Sequence, residues 1–228
     1  MTTILIPTYN QQDTLEQTIN SALAQTVPCE IIVINDGSTD NTKFIAEEYA
    51  EKGVKVIHQS NRGLSSARNT GIMNATGDII IPLDSDDIME PTYVERIEKV
   101  FAETDADIVA PSFKTFGVQE SQVLLQMRPG LDAFKSGNCI GYCSAFKKKD
   151  LIEVGGYSPR MVWGYEDLHL SITLLRKGKK IYTIPDFLWN YRTKHNSMIN
   201  VAQAHHAELM AQIAKDNPGY YTDPMLKV

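Results

Sequence analysis

Asp78-Ile79-Ile80-Ile81-Pro82-Leu83-Asp84-Ser85-Asp86-Asp87, at residues 78–87, is the stretch that decides the fold. An apolar run this short, ending in acids, reads as a strand buried on both faces, the habit of a parallel sheet covered by helices on both sides. Outward from it, β-branched runs at residues 4–6 and 30–35 bracket Leu15, Ile19 and Leu23, which fall four apart, the spacing of one helical face. Asp13, with Glu16 three residues on, is placed to cap that helix. Asp40 is placed to cap a second one carrying Phe44, Ile45 and Tyr49, before a strand at residues 54–58. Leu64, Ala67, Gly71, Ile72 and Ala75 make a third helical stripe. Pro91 opens a fourth helix with Val94, Ile97, Val100 and Phe101 inward, ahead of a strand at residues 107–111. Strands alternating with helices predict an α/β fold with a mostly parallel central sheet.

Beyond residue 113 the pattern loosens, with no clear period over residues 114–130. A strand at 142–146, a helix at 165–177, a strand at 180–184 and a last helix at 200–215 follow, with His205-His206 on the polar side of that last helix. This change of character puts a boundary near residue 112, between two halves that share one sheet.

The chain has 228 residues, 43% hydrophobic and 22% charged, enough for one large globular domain with a proper core. Its apolar runs fall far short of the ~18 residues that span a bilayer. Lys and Arg total 22 against 28 Asp and Glu, and the net charge of −6 opposes nonspecific binding to nucleic acid or to an anionic membrane. Cys29, Cys139 and Cys143 cannot all pair, and Cys139 and Cys143 lack the second ligand pair of a zinc site, so buried free thiols are expected. No basic and apolar leader precedes residues 4–6, which points to a soluble, cytoplasmic protein.

In an open parallel sheet the ligand crevice lies outside the carboxyl ends of the strands, so the residues just after each strand carry the chemistry. Here these are Pro7-Thr8-Tyr9-Asn10, Asn35-Asp36-Gly37-Ser38-Thr39-Asp40 and Asp84-Ser85-Asp86-Asp87, which converge on one rim. Asp84, Asp86 and Asp87 repel one another unless protons or a cation neutralise them. Two carboxylates plus substrate phosphates commonly hold Mg²⁺ or Mn²⁺, and Asp84 and Asp86 suit that task. Asp84, Ser85 and Asp87 also suit a turn and the cap of the helix near Pro91, as Asp36 suits turn chemistry and Tyr9 a half-buried aromatic. Arg62 and Arg68 flank the inward stripe of their helix, where each is either a solvated charge or a contact for a base or phosphate.

Taken in order, these blocks resemble glycosyltransferase family 2. The resemblance rests on the three rim blocks with Asn61-Arg62-Gly63-Leu64-Ser65-Ser66-Ala67-Arg68-Asn69-Thr70-Gly71, Gly77-Asp78 and Gly164-Tyr165-Glu166-Asp167, and runs from about residue 2 to about residue 198. It implies a GT-A fold: a single αβα sandwich over residues 1–228, with a Rossmann-like nucleotide-sugar-binding half at 1–112 and an acceptor-binding half at 113–228. It also implies metal-dependent, inverting transfer of a sugar from a nucleotide-sugar, by family habit a UDP-sugar, with Mn²⁺ or Mg²⁺ as cofactor. The acceptor is a glycan, a lipid-linked compound or another hydroxyl, and peripheral contact at the inner face of a membrane is open to such a protein. Carried over by residue, Tyr9 stacks on the base beside Pro7, Asp36 accepts from the base N–H, and Arg68 contacts the base or the neighbouring loop. Asp84 lies nearer the ribose, Asp86 is the more direct metal ligand, and Asp167 is the general base. Glu166 lies on the acceptor side, and Trp163 is either an acceptor platform there or core. His195, helped by Arg192 and Ser197, closes over the diphosphate.

Two departures bear on that picture. Gly155-Gly156-Tyr157 is followed by Ser158-Pro159-Arg160 where the family often carries an acid, and no membrane-embedded domain of the processive synthases follows the core, which favours one sugar per encounter. Without the resemblance, Glu166 and Asp167 read as acids favouring a helix dipole and His195 as a surface or core histidine. A metal-dependent phosphatase using Asp84 and Asp86, and a non-catalytic nucleotide-sugar or glycan-binding module, are the competing readings. Neither a Gly-x-x-x-x-Gly-Lys-Ser/Thr loop nor a Gly-x-Gly-x-x-Gly turn occurs, which argues against a P-loop NTPase and a dinucleotide oxidoreductase.

Overall fold

A computed structural model describes residues 1–125, 128–195 and 197–220. In chain order the elements are β1 (Thr2–Thr8), α1 (Leu15–Leu23), β2 (Glu30–Asp36), α2 (Thr42–Glu48), β3 (Lys55–Gln59), α3 (Leu64–Asn74), β4 (Ile79–Pro82) and β5 (Ile88–Met89). Then come α4 (Tyr93–Glu103), β6 (Ile108–Gly117), β7 (Ser121–Val123), β8 (Ala145–Lys147), α5 (Lys148–Glu153), α6 (Glu166–Arg176), β9 (Ile181–Thr193), α7 (Met198–Ala204) and α8 (His206–Asp216). All the strands join one nine-stranded sheet in the order β3-β2-β1-β4-β8-β6-β9-β5, with β7 paired to β6. Strands β1, β2, β3, β4, β6 and β9 run one way, and β5, β7 and β8 run against them, so the sheet is mostly parallel.

The β-branched runs are buried on both faces. Along β1, Leu5 joins one core while Ile4 and Ile6 join the other, and β2 divides Ile32 and Ile34 from Ile31 and Val33 in the same way. Helices α1, α2 and α4 cover one face, and α3, α5, α6, α7 and α8 cover the other, which makes an αβα sandwich. The chain lays down β1, β2 and β3 outward to one edge, then returns to place β4 on the far side of β1. That reversal opens a crevice beyond the carboxyl ends of β1 and β4. The boundary expected near residue 112 falls inside β6, so the halves share a strand as well as a sheet.

Several local expectations are corrected. Helix α1 buries Leu15, Thr18, Ile19 and Ala22, while Leu23 is 39% exposed. Each step of four residues overshoots a full turn by about 40°, so a third residue in the series drifts off the face. Asp13 takes no part in the start of α1: Thr14 stands at its N-cap, without a side-chain capping bond, and its hydroxyl donates to the Ser85 carbonyl instead. Asp40 lies one residue ahead of the α2 N-cap, Asn41, and accepts from the Thr42 N–H at 2.9 Å. Phe44 on α2 points outward. Of the cysteines, Cys143 is buried, but Cys29 and Cys139 are half-buried. The final helix breaks at His205 into α7 and α8. Strand β9 continues well past residue 184, because a bulge absorbs Pro185: on β6, Pro111 faces Ile184 and the next residue, Ser112, faces Phe187.

Gly77, just before β4, has no room for a side chain. A Cβ there would stand 2.6 Å from Thr3 Oγ1, 2.7 Å from the Met1 carbonyl oxygen and 2.9 Å from the Thr3 nitrogen. Gly77→Ala must push the entry of β4 away from β1, and we expect it to lower the unfolding free energy in urea by ~1–3 kcal/mol at unchanged m-value. An unaltered midpoint would show that this edge yields freely.

Candidate active site

The crevice widens into a cleft of about 560 Å³, within the size range of small-molecule sites. Pro7 and Tyr9 line it from the end of β1, Asp36 from β2, and Asp84 and Asp86 from the turn after β4. Glu166 and Asp167 line it from the first turn of α6, and Arg192, Lys194 and Ser197 from the end of β9 and beyond. Asn196 of that last segment lies outside the described residues.

Asp36 is buried at the end of β2. Its Oδ1 accepts from Gln59 Nε2 at 2.6 Å and the Arg62 N–H at 3.0 Å, and its Oδ2 from the Gly63 N–H at 2.8 Å. The carboxylate therefore shapes the entry to α3. Tyr9 is 46% exposed at the end of the neighbouring strand β1, and the next residue, Asn10, with φ 51°, accepts from the Thr39 N–H at 2.8 Å.

Arg68 does not flank its helix in solvent. It is 1% exposed and lies behind the cleft wall, where Nη2 donates to Asp84 Oδ1 at 2.7 Å and Nη1 to Glu166 Oε1 at 2.6 Å. Its guanidinium carbon stands 5.4 Å from the Tyr142 ring centre and 5.0 Å from that of Tyr157. A group so enclosed has no path to a base in the cleft. It ties the β4 turn to α6 instead. Asn69, the next residue, clamps α3 to the same side, giving to the Tyr157 carbonyl and accepting from its N–H, both at 2.8 Å.

The acids differ in their surroundings. Asp87 does not cap α4, whose N-cap is Thr92. It is buried, with Oδ1 accepting from the Arg192 N–H at 2.7 Å and Oδ2 from the Tyr142 hydroxyl, so it pins β9 to the acidic turn. Burial, with the neighbouring Asp86 charge, pushes its carboxyl well above the usual range. Burial raises Asp84 to about 6 against the pull of Arg68, with Asp86 adding to the rise. Asp167 follows Tyr165, which is held in the left-handed region at φ 59°. Its Oδ2 accepts from Asn138 Nδ2 at 2.7 Å and its Oδ1 from the Leu168 N–H at 2.8 Å. Burial and the adjacent Glu166 raise it to about 7. A carboxyl that ionises near neutrality and faces a cleft is suited to proton transfer.

His195 and Trp163 do not line the cleft. His195 is exposed, and Trp163, at 41% exposure, is not core: it stacks on His205 with ring centres 4.5 Å apart. His205 and His206 keep the polar, solvent-facing side expected of them, His205 Nδ1 lying 3.2 Å from Glu208 Oε2 and His206 Nδ1 3.1 Å from the Tyr165 hydroxyl. The cleft-facing cation that the sequence reading passed over is Lys194, whose Nζ lies 2.8 Å from Asp86 Oδ2. Tyr142 and Asn138 also bond the acids, Tyr142 from the start of the segment expected as a strand at 142–146 and Asn138 from a stretch with no regular pattern.

Among the described residues, no group of three or more His, Cys, Asp or Glu side chains converges as a metal cage. Asp84 and Asp86 nevertheless face open space, and an ammonium already sits against Asp86 where a cation would bind. That donor set fits Mg²⁺ or Mn²⁺ taking its remaining ligands from phosphate and water, and does not fit an all-protein site.

An αβα sandwich with paired acids at its strand-order reversal, and a carboxylate facing them across a nucleotide-sized cleft, defines the class of GT-A sugar-transferring enzymes. The chain belongs to glycosyl transferase family 2, whose sequence model matches residues 3–159. It is 39% identical over 121 residues to the glycosyltransferase GlyA of Streptococcus pneumoniae, across 52% of this chain and 17% of that protein. It is 41% identical over 116 residues to the uncharacterized glycosyltransferase EpsJ of Bacillus subtilis, across 50% and 34%. The matched region is thus a minor part of these relatives. Among solved structures, S. aureus TarS in complex with UDP-GlcNAc superposes with a TM-score of 0.81 at 20% identity, over 94% of this chain and 66% of that one. The mannosyltransferase PcManGT of Pyrobaculum calidifontis, with GDP-Man and Mn²⁺, gives 0.71 at 20% identity over 95% and 63%. These likenesses establish the GT-A fold. Family membership replaces the phosphatase and binding-module readings, and among the described residues no helix is long and apolar enough to cross a membrane.

Two expectations follow from the buried charges. Arg68→Met strands Asp84 and Glu166 without their shared cation, and should lower stability in urea by ~3–5 kcal/mol; a loss near zero would mean that both acids find water or protons. Asp167 is raised from 3.8 to about 7 in the fold, so its ionisation opposes folding: the penalty is absent below the lower value and complete above the higher. Asp167→Asn should therefore gain stability over the wild type progressively from about pH 4 to about pH 7. A difference that stays flat with pH would contradict the raised carboxyl.

Proposed function

We propose that the chain catalyses metal-dependent, inverting transfer of a sugar from a UDP-sugar to a hydroxyl acceptor. The observation that carries this reading is that Asp84 and Asp86 share one cleft with Asp167, with Arg68 bridging Asp84 to Glu166. Pro7, Tyr9 and Asp36 form the base end: the exposed Tyr9 ring offers a stacking face, and Asp36 holds the loop beside it. The TarS complex with UDP-GlcNAc supports a UDP-sugar, and the PcManGT complex makes a GDP-sugar the next donor to test.

In the reaction the acceptor oxygen bonds to the anomeric carbon as the bond from that carbon to the diphosphate oxygen breaks, and the hydroxyl proton passes to Asp167. Attack from the face opposite the departing diphosphate inverts the anomeric centre. Asp86 and Asp84 would hold Mn²⁺ or Mg²⁺, which would supply Lewis-acid neutralisation of the leaving diphosphate. Arg68 acts by position, fixing Asp84 and Glu166. Arg192, Ser197 and His195 belong to the segment that covers the diphosphate, and Glu166 and Trp163 to the acceptor side. Val162, Trp163, Met198 and Ile199 stand exposed near that end, an apolar lip that suits a lipid-linked acceptor met at the inner face of a membrane.

Calorimetry and a transfer assay test this. UDP should bind in the presence of Mn²⁺ or Mg²⁺, lose that binding with chelator, and lose it in Asp86→Ala. Equal affinity with and without chelator would remove the metal role. Asp167→Asn should bind UDP as the wild type does while kcat falls by ~10²–10⁴-fold, and wild-type turnover in that variant would remove Asp167 as base.

A further inference from the structure

Lys194 lies just beyond the end of β9, lines the cleft, and is held there by its own ammonium. Nζ is 2.8 Å from Asp86 Oδ2 and 3.3 Å from Gln11 Oε1, and its side chain is 34% exposed. The other acids of the cleft have different partners. Asp84 and Glu166 share Arg68, Asp87 is held by the Tyr142 hydroxyl and the Arg192 N–H, and Asp167 by Asn138. Arg192, the nearby cation, is fastened: Nε donates to the Asp86 carbonyl at 2.7 Å, Nη2 to Gln17 Oε1 at 2.6 Å, and the guanidinium lies 4.4 Å from the Phe116 ring centre. Lys194 differs from it in being held only through the tip of a flexible four-carbon stem.

An ammonium and a divalent cation cannot share one carboxylate without strong repulsion, since like charges a few ångströms apart oppose each other in a partly desolvated cleft. We propose that Lys194 is a two-position cation. In the donor-free protein it holds Asp86 in place of the divalent cation; when donor and cation enter, it leaves Asp86 and pairs with the donor diphosphate, where it stabilises the charge that builds as the sugar departs. The device keeps the acidic turn neutralised in the absence of donor and makes tight metal binding depend on donor. It rests on the nucleotide-sugar reading above.

The test uses Lys194→Gln, which removes the charge at similar size, and Lys194→Arg, which keeps it. Mn²⁺ binding to the donor-free protein is read by electron paramagnetic resonance of free Mn²⁺, and UDP binding at saturating Mn²⁺ by calorimetry. Lys194→Gln should bind Mn²⁺ alone ~10-fold more tightly and UDP ~10-fold more weakly than the wild type, the size of one charge-assisted hydrogen bond in each state. Lys194→Arg should keep both within ~3-fold, since its charge replaces the lost one. Opposite movement of the two affinities is not the result of a merely structural contact. If Lys194→Gln leaves either affinity unchanged while the wild type binds UDP with Mn²⁺, this inference alone fails. A wild type that binds neither UDP nor GDP with Mn²⁺ overturns the inference and the functional reading together.

Discussion

The rest of the site depends on one buried guanidinium. Arg68 sits between Asp84, at the end of the early parallel strands, and Glu166, at the start of α6, and both bonds are short. Taking such a charge out of water costs several kcal/mol, and the arrangement holds because two carboxylates and two tyrosine rings surround it. Its Nε is buried without an acceptor, an uncompensated part of that cost. The return is geometric. Asp86 and Asp167 each stand close in sequence to an anchored acid, so the bridge sets the distance between those two carboxylates across the cleft.

The bridge also explains how one rim tolerates so many acids. Each carboxylate is relieved differently: Asp84 and Glu166 by a shared cation, Asp87 by burial that favours its proton, Asp86 by Lys194. Asp167 has an amide partner, and burial together with the adjacent Glu166 charge raises it to about 7 where it lines the cleft. Proton affinity in this site is thus set first by burial and then by the charges beside each acid. A surface cluster of the same composition, with each acid in water, would show none of this separation.

Much of this was legible in the sequence, for reasons that can be traced residue by residue. The β-branched runs that became β1, β2 and β4 are buried on both faces, and burial writes itself as apolar residues. The acids that follow them were legible because the crevice rule says where to look. Arg68 was misplaced because hydrophobic periodicity scores a charged residue as outward, and nothing local shows that two carboxylates wait inside. Lys194 and Asn138 reach the site from segments with no repeating pattern, and Tyr142 from the edge of an expected strand that marks no chemistry, so only the fold brings them in. Strand β9 was cut short at Pro185, since the bulge that carries it past a residue lacking an N–H depends on β6 beside it.

That missing half of β9 has the largest chemical consequence. Ile88 and Met89 of β5 pair antiparallel with Asn190 and Trp189. Continued by two residues, the same register sets Asp86 opposite Arg192, and the bonds from Arg192 to the Asp86 carbonyl and the Asp87 carboxylate agree with it. Side chains alternate along a strand, so Arg192 leaves on the side of the acidic turn while Thr193 turns away, and Lys194, the first residue past the strand, reaches Asp86. Thr193 accordingly bonds the Phe116 carbonyl on β6, and His195 stands in solvent. A slip of one residue would exchange Lys194 for His195 at Asp86. The choice between a lysine and a histidine at the acids is therefore made by a two-residue strand and a bulge, and a motif read along the chain, which sees only that basic residues cluster there, has no means of making it.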